Sequence, residues 1–206
     1  MRELVLKMSM SLDGFVSDLE GSNRWIFGSD PEARAASVAR VWNASLHIMG
    51  SRSFRDMAGW WPTSTEAFAP PMNQIPKAVF SRQGPAILES ALRAVSPDRA
   101  GGAQAAELQP GAESWAEAYV ASGDLAEEVA RLKAGDGKPV LAHGGVRFAR
   151  SLVASGLVDQ IALAVFPVAL GQGQAMFSDL AAPMRMQLES STAYPGGVVA
   201  QVYRPV

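Results

Sequence analysis

One glycine pair occurs where the chain changes from an apolar run to a helical pattern. Gly144 and Gly145 follow the apolar run 139–142 and precede Val146 and Arg147. Glycines at such a point let a ligand approach the main chain, and the first turn of a helix supplies N–H groups and the positive end of its dipole. This chemistry holds a diphosphate. A tight strand-to-helix turn is the alternative interpretation, and the motif alone leaves both open.

Two further segments combine a hydroxyl group with an arginine. Gly50 precedes Arg52 and Ser53 after the apolar run 46–49, and Ser81 with Arg82 follows a second apolar run. A guanidinium is a forked cation that suits a phosphate, whereas a serine N-cap beside a solvated arginine is the simpler explanation of either segment. Ligands of α/β proteins collect at the carboxyl ends of strands. Three such ends together predict a nucleotide site.

Acid, base and aromatic candidates are few. Asp13 is the nearest candidate general acid or base, although an aspartate before a glycine is more often a turn residue. Trp60 and Trp61 can form a wall for a planar substrate, or they can serve as a lid or core plug. Gln172 lies between two glycines, where contact with a ligand and a plain β-turn explain it equally well.

Composition excludes several classes of protein. The 206 residues are 48% hydrophobic and 18% charged, with a net charge of −2, which fits one globular domain without an electrostatic footprint for nucleic acid or anionic lipid. The absence of cysteine excludes disulfides and thiol nucleophiles, and two histidines without ligand spacing predict no metal site. Glu3 and Lys7 interrupt the first apolar run. We therefore expect no signal peptide, no membrane span and a cytoplasmic protein.

Periodicity predicts strands that alternate with helices and end in consecutive strands, which is typical of a mostly parallel α/β sheet with antiparallel edges. The predicted strands cover 4–12, 46–49, 77–81, 139–142, 160–170, 184–188 and 198–203. The predicted helices run from Pro31 to about Asn43, over 51–61, up to Gly135 and up to about Gly156. We predict an exposed excursion for most of 84–113, with a possible helix around 86–94.

These segments, in this order, resemble the dihydrofolate reductase-like family, and most closely the C-terminal reductase domain of the bifunctional riboflavin-biosynthesis deaminase–reductase. The resemblance covers nearly the whole chain apart from 84–113. No single motif is specific, but the ordered series is. The matching segments are 8–17, 49–54, 60–62, 76–82, 124–133, 144–145, 156–160 and 166–173.

The resemblance implies one three-layer α/β/α reductase domain over 1–206 that binds NADPH across its strand ends and transfers a hydride to a small heteroaromatic, imine or carbonyl substrate. It also implies a homodimer, formed through the strand 160–170 and its neighbours. The implied cofactor contacts are Gly144, Gly145, Val146 and Arg147 at the diphosphate, Gly50, Arg52 and Ser53 on the adenosine side, Ser81 and Arg82 at the ribose and 2′-phosphate, and Ser17 at the nicotinamide. The implied substrate contacts are Phe15, Trp60, Trp61 and Gln172.

Two positions depart from the family pattern. The family often has arginine directly after the glycine, where this chain has Ser51 and places Arg52 one residue later. One helical position turns a side chain by about 100°, so the preference for NADPH over NADH stays open. The first predicted helix has no obvious counterpart of the carboxylate that binds a pterin, which argues against folate. A non-catalytic dimeric nucleotide-binding module is the competing hypothesis.

Overall fold

Short strands and helices alternate along most of the chain, as the periodicity predicts. The computed structural model describes residues 1–28, 30–96 and 107–206. Its elements are β1 (Leu4–Ser11), α1 (Pro31–Trp42), β2 (Leu46–Gly50), α2 (Ser51–Trp60), α3 (Ala69–Gln74), β3 (Lys77–Phe80), α4 (Glu89–Val95), β4 (Tyr119–Ala121), α5 (Leu125–Lys133), β5 (Val140–His143), α6 (Val146–Ala154), β6 (Gln160–Phe166), β7 (Met186–Ala193) and β8 (Val199–Pro205). In the described ranges, no helix is long and apolar enough to cross a membrane.

The strands form one eight-stranded sheet in the order β4-β3-β2-β5-β1-β6-β8-β7. The pairs β2–β3, β3–β4 and β1–β6 are parallel, whereas β6–β8 and β7–β8 are antiparallel. The helices and the sheet make three layers. The predicted fold class, a mostly parallel α/β sheet with antiparallel C-terminal edge strands, is therefore confirmed.

The chain divides into two compact units, each with its own buried apolar side chains. Unit 1 comprises 1–2 and 40–141, and unit 2 comprises 3–39 and 142–206. The prediction of a single domain over the whole chain stays a prediction. Fully buried side chains of unit 1 include Ile48, Met49, Phe54 and Trp115, and those of unit 2 include Leu4, Leu6, Leu152 and Ile161.

Local sequence signals begin the helices where they were expected. The Asp30 carboxylate accepts hydrogen bonds from the N–H groups of Glu32 (2.7 Å) and Ala33 (3.0 Å) ahead of α1. Hydrogen bonds from backbone N–H groups lower the pKa of Asp30, and the one from Ala33 has the largest effect. Asp124 caps α5 in the same way, through the N–H groups of Ala126 and Glu127. These contacts satisfy donors that the first helical turn leaves without an intrahelical partner.

Several boundaries differ from the prediction. The strand expected over 160–170 ends at Phe166, because Pro167 has no N–H for the ladder. The helix expected around 86–94 is a 3-10 turn followed by α4. The part of the predicted excursion at 97–106 lies outside the described residues. The short elements α3 and β4 were not predicted.

Unit 1 contains a buried lysine whose ammonium bonds to several of its segments. Lys77 begins β3 and is 3% exposed, and its ammonium donates hydrogen bonds to the carbonyl oxygens of Ile75 (2.7 Å) and Asn73 (3.2 Å) and to the hydroxyl of Ser114 (2.6 Å). It also lies 4.7 Å from the ring centroid of Trp115. Burial lowers the pKa of Lys77 to about 7, against an opposing effect of Glu113. The ammonium therefore joins the start of β3 to the segment after residue 106.

This lysine should make the free energy of unfolding depend on pH. The folded pKa of about 7 lies below the ordinary value of 10.5, so between these values the unfolded chain binds more protons and stability rises with pH. The rise is at most about 1.4 kcal/mol per pH unit. Urea unfolding between about pH 7 and 9 should show this gain in the wild type and lose it in Lys77→Met. The exposed Lys138→Met is the matched control, and an equal slope in Lys77→Met would contradict the prediction.

Candidate functional site

Two loops of unit 2 pair with each other beyond the carboxyl ends of β1 and β6. The strands end side by side, since Ser11 is the register partner of Phe166. Beyond them the Val16 N–H donates to the Gln174 carbonyl (3.0 Å), and the Gln174 N–H donates to the Ser17 carbonyl (3.0 Å). This pairing brings the predicted residues of segment 13–17 beside the loop that carries Gln172.

Gly173 permits a close contact between these loops. A Cβ atom at this position would lie 2.3 Å from the carbonyl oxygen of Ser17 and 3.3 Å from the Cβ of Phe15. The contact with the carbonyl is shorter than any side chain allows. The glycine-rich segment after β6 is thus explained by packing against 15–17, which the sequence alone did not indicate.

Asp13 holds the two loops together through its carboxylate. It accepts the Ser11 hydroxyl (2.6 Å) and the N–H groups of Gly171 (2.7 Å) and Leu170 (3.1 Å). These hydrogen bonds lower the pKa of Asp13 to about 2, and the one from Ser11 has the largest effect. At neutral pH this carboxylate is ionised and has no proton to donate. The geometry favours the turn interpretation of Asp13 over the general-acid interpretation.

Removal of the Ser11 hydroxyl tests this assignment. The carboxylate stabilises the loop pairing above pH 3.8, and this contribution is lost as the pH falls through about 2. In a carboxyl ¹³C titration, the Asp13 midpoint should lie near 2 in the wild type and move upward, toward 3.8, in Ser11→Ala. An unchanged midpoint in Ser11→Ala would show that the hydroxyl is not the main cause.

The other predicted site residues of this region differ in the exposure and the hydrogen bonding of their side chains. Ser17 is 7% exposed, and its hydroxyl donates to the Asp18 carbonyl (3.1 Å). Phe15 is half-buried and forms an isolated bridge with Ala175. Gln172 is exposed. The assignment of Ser17 to the nicotinamide and of Phe15 and Gln172 to the substrate stays a prediction.

The glycine pair opens α6, as the sequence suggested. Gly145 is the N-cap with φ 92°, in the left-handed region, and its carbonyl accepts the Ala149 N–H (3.0 Å). A glycine N-cap carries no side-chain oxygen that could accept the first helical N–H groups. A Cβ on Gly144 would lie 3.3 Å from the Met8 sulfur. Val146 is half-buried and Arg147 is exposed at the start of the helix.

The hydroxyl and arginine candidates of unit 1 lie at the carboxyl ends of two neighbouring strands, β2 and β3. Gly50, at the end of β2, is the register partner of Phe80, at the end of β3. Gly50 is also the N-cap of α2, in which Arg52 is exposed and Ser53 half-buried. Beyond β3, the hydroxyl of Ser81 accepts the Gln83 N–H (3.1 Å), and Arg82 is exposed. Both arginines are therefore open to an anion at this edge.

The two adjacent tryptophans have different environments. Trp60 ends α2 and is 57% exposed. Trp61 is half-buried, its ring packs against Phe68 at 6.3 Å, and its carbonyl accepts the side-chain amide of Asn73 (2.9 Å). Trp61 thus helps to anchor α3. Contact of either ring with a substrate stays a prediction.

This order of strands and turns matches a known family. The model of the RibD C-terminal domain matches residues 2–200. The chain belongs to the RibD C-terminal domain family. The expected resemblance to the reductase domain of riboflavin biosynthesis is confirmed at the level of the family.

Relatives of this RibD C-terminal domain include a curated sequence and solved structures. YyaP, an uncharacterised protein of Bacillus subtilis (strain 168), is 24% identical over 98% of this chain and 94% of its own. A candidate riboflavin biosynthesis protein of Shewanella sp. PV-4 has a TM-score of 0.67 and 18% identity, covering 100% of this chain and 99% of its own.

A longer protein contains the same fold. The diaminohydroxyphosphoribosylaminopyrimidine deaminase/5-amino-6-(5-phosphoribosylamino)uracil reductase of Thermotoga maritima has a TM-score of 0.67 and 18% identity. The match covers 100% of this chain but only 57% of that protein. At these identities the likeness establishes the fold of the RibD C-terminal domain.

Two side chains of unit 2 in this RibD C-terminal domain were missed by the sequence analysis. Arg150 of α6 donates through Nε to the Ala175 carbonyl (2.9 Å) and lies 3.5 Å from Asp179. A helical arginine gives no sequence signal of such a role. Trp25 packs edge-on against Phe166, with 5.5 Å between ring centroids. A lone tryptophan in a loop that contains Gly21 and Gly28 was the available signal.

Proposed function

We propose that this protein is an NADPH-dependent reductase that transfers a hydride to a small heteroaromatic, imine or carbonyl substrate. The observation that carries the proposal is the glycine turn 144–145 at the start of α6 in a chain of the RibD C-terminal domain family. The deaminase/reductase of Thermotoga maritima bears the name of a 5-amino-6-(5-phosphoribosylamino)uracil reductase. A reduction of the same class is the activity that we propose for this chain.

The residues at the turn fit a diphosphate. Gly145 leaves the first amides of α6 without a side-chain cap of its own, and a positive helix end favours an anion. Gly144 has no room for a Cβ unless the Met8 side chain moves. Gly144, Gly145, Val146 and Arg147 would hold the diphosphate, with Arg147 contributing its charge. NADPH, when bound, supplies the hydride.

We propose that residues at the carboxyl ends of β2 and β3 contact the adenosine end, as the resemblance implies. Arg52 and Arg82 are exposed beside strands that end in register, and a guanidinium binds a phosphate monoester in a bidentate manner. Gly50, Ser53 and Ser81 would contact the ribose side. We propose that Arg82, with Arg52, selects NADPH over NADH, so Arg82→Ala should weaken NADPH more than NADH. Arg93→Ala, on the exposed face of α4, is the control.

The chain's own contribution to the reaction is binding and orientation. Asp13 is ionised and holds the loops that border the proposed substrate site, so it positions residues 15–17 and does not donate a proton. Proton delivery to the reduced substrate then comes from water.

The proposal is tested by titration of NADPH with its fluorescence as the readout, followed by NADPH oxidation with pterins, quinones, flavins and diketones. We expect saturable binding and oxidation with at least one class. Absence of binding up to millimolar NADPH would reject the proposal.

A non-catalytic nucleotide-binding module is the second candidate. The observation that favours it is the engagement of the Asp13 carboxylate by three donors, which removes the nearest candidate acid from catalysis. Saturable NADPH binding without oxidation by any member of the substrate panel would support this candidate over the reductase.

We also propose a homodimer, and we place its contact at β7, the edge strand beyond β6 and β8. β6 lies between β1 and β8 in the sheet, so it has no free edge. β7 is an edge strand, and seven of its eight residues are exposed, including Leu188 at 50%. Unpaired strand edges are suited to pairing with a second chain. Light scattering should show a dimer in the wild type and a monomer in Leu188→Asp; a wild-type monomer would contradict the proposal.

A further inference from the structure

An arginine of α6 joins this helix to the two paired loops of unit 2. Arg150 donates hydrogen bonds to the Ala175 carbonyl through Nε (2.9 Å) and Nη2 (2.5 Å), and its Nη1 lies 3.5 Å from the Asp179 carboxylate. All three guanidinium nitrogens therefore have a partner, and 19% of the side chain is exposed. Unlike the exposed Arg147, this arginine holds groups of the protein rather than an anion from solution.

The carbonyl that Arg150 binds belongs to a short antiparallel pairing between the two loops. Ala175 is the bridge partner of Phe15. The adjacent Met176 N–H donates to the Gly14 carbonyl (3.2 Å), and Met176 is 1% exposed. Because the loops are bonded to each other here, a guanidinium that fixes this carbonyl fixes both of them.

Arg150 lies one helical turn from the glycine turn at the start of α6. Val146 is the first residue of the helix, and positions i and i+4 lie on the same face, about 6 Å apart along the axis. The first amides of α6 are the groups proposed to hold the diphosphate. One turn of helix and one side chain therefore connect these amides to the loops that border the proposed substrate site.

We infer that Arg150 is a positioning residue, which transmits the occupation of the glycine turn to the paired loops 13–17 and 170–176 and keeps the proposed substrate site in register with the cofactor. The identity of the ligand as NADPH rests on the proposed reductase function. Reacting atoms must be held close for transfer between them, and a displacement of about 1 Å can reduce the rate by about 100-fold. Loss of the Arg150 contacts should therefore affect the rate of the reaction more than the affinity for the cofactor.

Amide hydrogen exchange of the loop pairing measures this coupling. The N–H groups of Val16 and Gln174 donate across the two loops, and their exchange rates report how often the pairing opens. Saturating NADPH should slow both amides by about fivefold or more in the wild type. Saturating inorganic pyrophosphate should slow them too, although it carries no nicotinamide that could touch the loops. Slowing by NADPH but not by pyrophosphate would assign the effect to direct contact and overturn the inference.

Substitution of Arg150 tests its part in the coupling. Arg150→Met should remove the slowing by either ligand and leave the NADPH dissociation constant within about threefold, because the amides of the glycine turn remain. It should also lower kcat by about 10-fold to 100-fold with any substrate that supports NADPH oxidation. Arg150→Lys, which can keep one bond to the Ala175 carbonyl, should recover part of both effects.

Arg131→Met is the matched control for these measurements. It removes a helical arginine whose hydrogen bond, to the Tyr119 hydroxyl (3.1 Å), lies within unit 1. The slowing of the loop amides by NADPH and the value of kcat should remain those of the wild type. Equal losses in Arg131→Met and Arg150→Met would show a general effect of removing an arginine and overturn the inference.

The ligand-free protein separates this inference from the proposed function. Without any ligand, Arg150→Met should exchange the Val16 and Gln174 amides faster than the wild type, and an unchanged rate would reject the inference whether or not NADPH binds. Absence of NADPH binding to the wild type would instead reject the reductase. Loss of NADPH affinity in Arg150→Met with kcat unchanged would also overturn the positioning role. If Arg150→Met does not fold, the wild type with pyrophosphate and Arg150→Lys decide the question.

Discussion

Gly145→Val is expected to weaken NADPH binding by about 100-fold or more. Gly145 has φ 92°, which a β-branched residue adopts only with strain. Relief of that strain would turn the first amides of α6 away from the diphosphate, and the added methyl groups would cover them. Fluorescence titration of NADPH gives the dissociation constant of each variant.

Gly156→Val is the matched control for this prediction. Gly156 follows the opposite end of α6 and has φ 65°, and a Cβ atom at this position would have no heavy atom of the described residues within 4 Å. The substitution strains the same helix to a similar degree without altering its N-terminus. It should lower the melting temperature while leaving NADPH affinity nearly unchanged. Equal losses of affinity in both variants would place the diphosphate elsewhere.

Asn73→Leu should lower the free energy of unfolding by about 3 kcal/mol. Asn73 is fully buried in α3; its side chain donates to the Trp61 carbonyl (2.9 Å) and accepts the Trp115 indole N–H (2.8 Å). Leucine retains the volume but leaves the buried Trp115 indole N–H without an acceptor, and it removes one of the two donors of the Trp61 carbonyl, which keeps the Ser64 N–H (3.2 Å). For a chain of this size the melting temperature should fall by roughly 10 °C.

Asn43→Leu is the corresponding control, because Asn43 is exposed at the end of α1. Thermal and urea unfolding of the two variants separate the loss of the buried bonds from the general effect of replacing asparagine by leucine. A melting temperature of Asn73→Leu within a degree or two of the Asn43→Leu value would show that the two buried hydrogen bonds contribute little.

The sequence identified most elements because their signals are local. Alternation marks β1, aspartates with first-turn donors begin α1 and α5, and the glycine pair precedes α6. Each signal depends on residues within a few positions of one another, so it can be recognised without knowledge of the fold. The ordered motifs also sufficed for the family, which the match over 2–200 confirms.

The composition of the candidate site depended on contacts between distant segments. The sequence singled out Asp13 as an acid or base, but the amides that engage its carboxylate come from Leu170 and Gly171. It offered Trp60 and Trp61 as an aromatic wall, which stays a prediction, and it gave no sign that Trp25 packs against Phe166, a residue far away in the chain.

The sequence by itself determined the α/β class, the helix starts and the glycine turn, because backbone preferences and hydrophobic periodicity depend on residues that are neighbours in the chain. Only the tertiary structure decided the order of the strands, the lowered pKa of Asp13 and the burial of the Lys77 ammonium. Desolvation and hydrogen bonding set a group's chemistry, and both depend on which distant residues surround it.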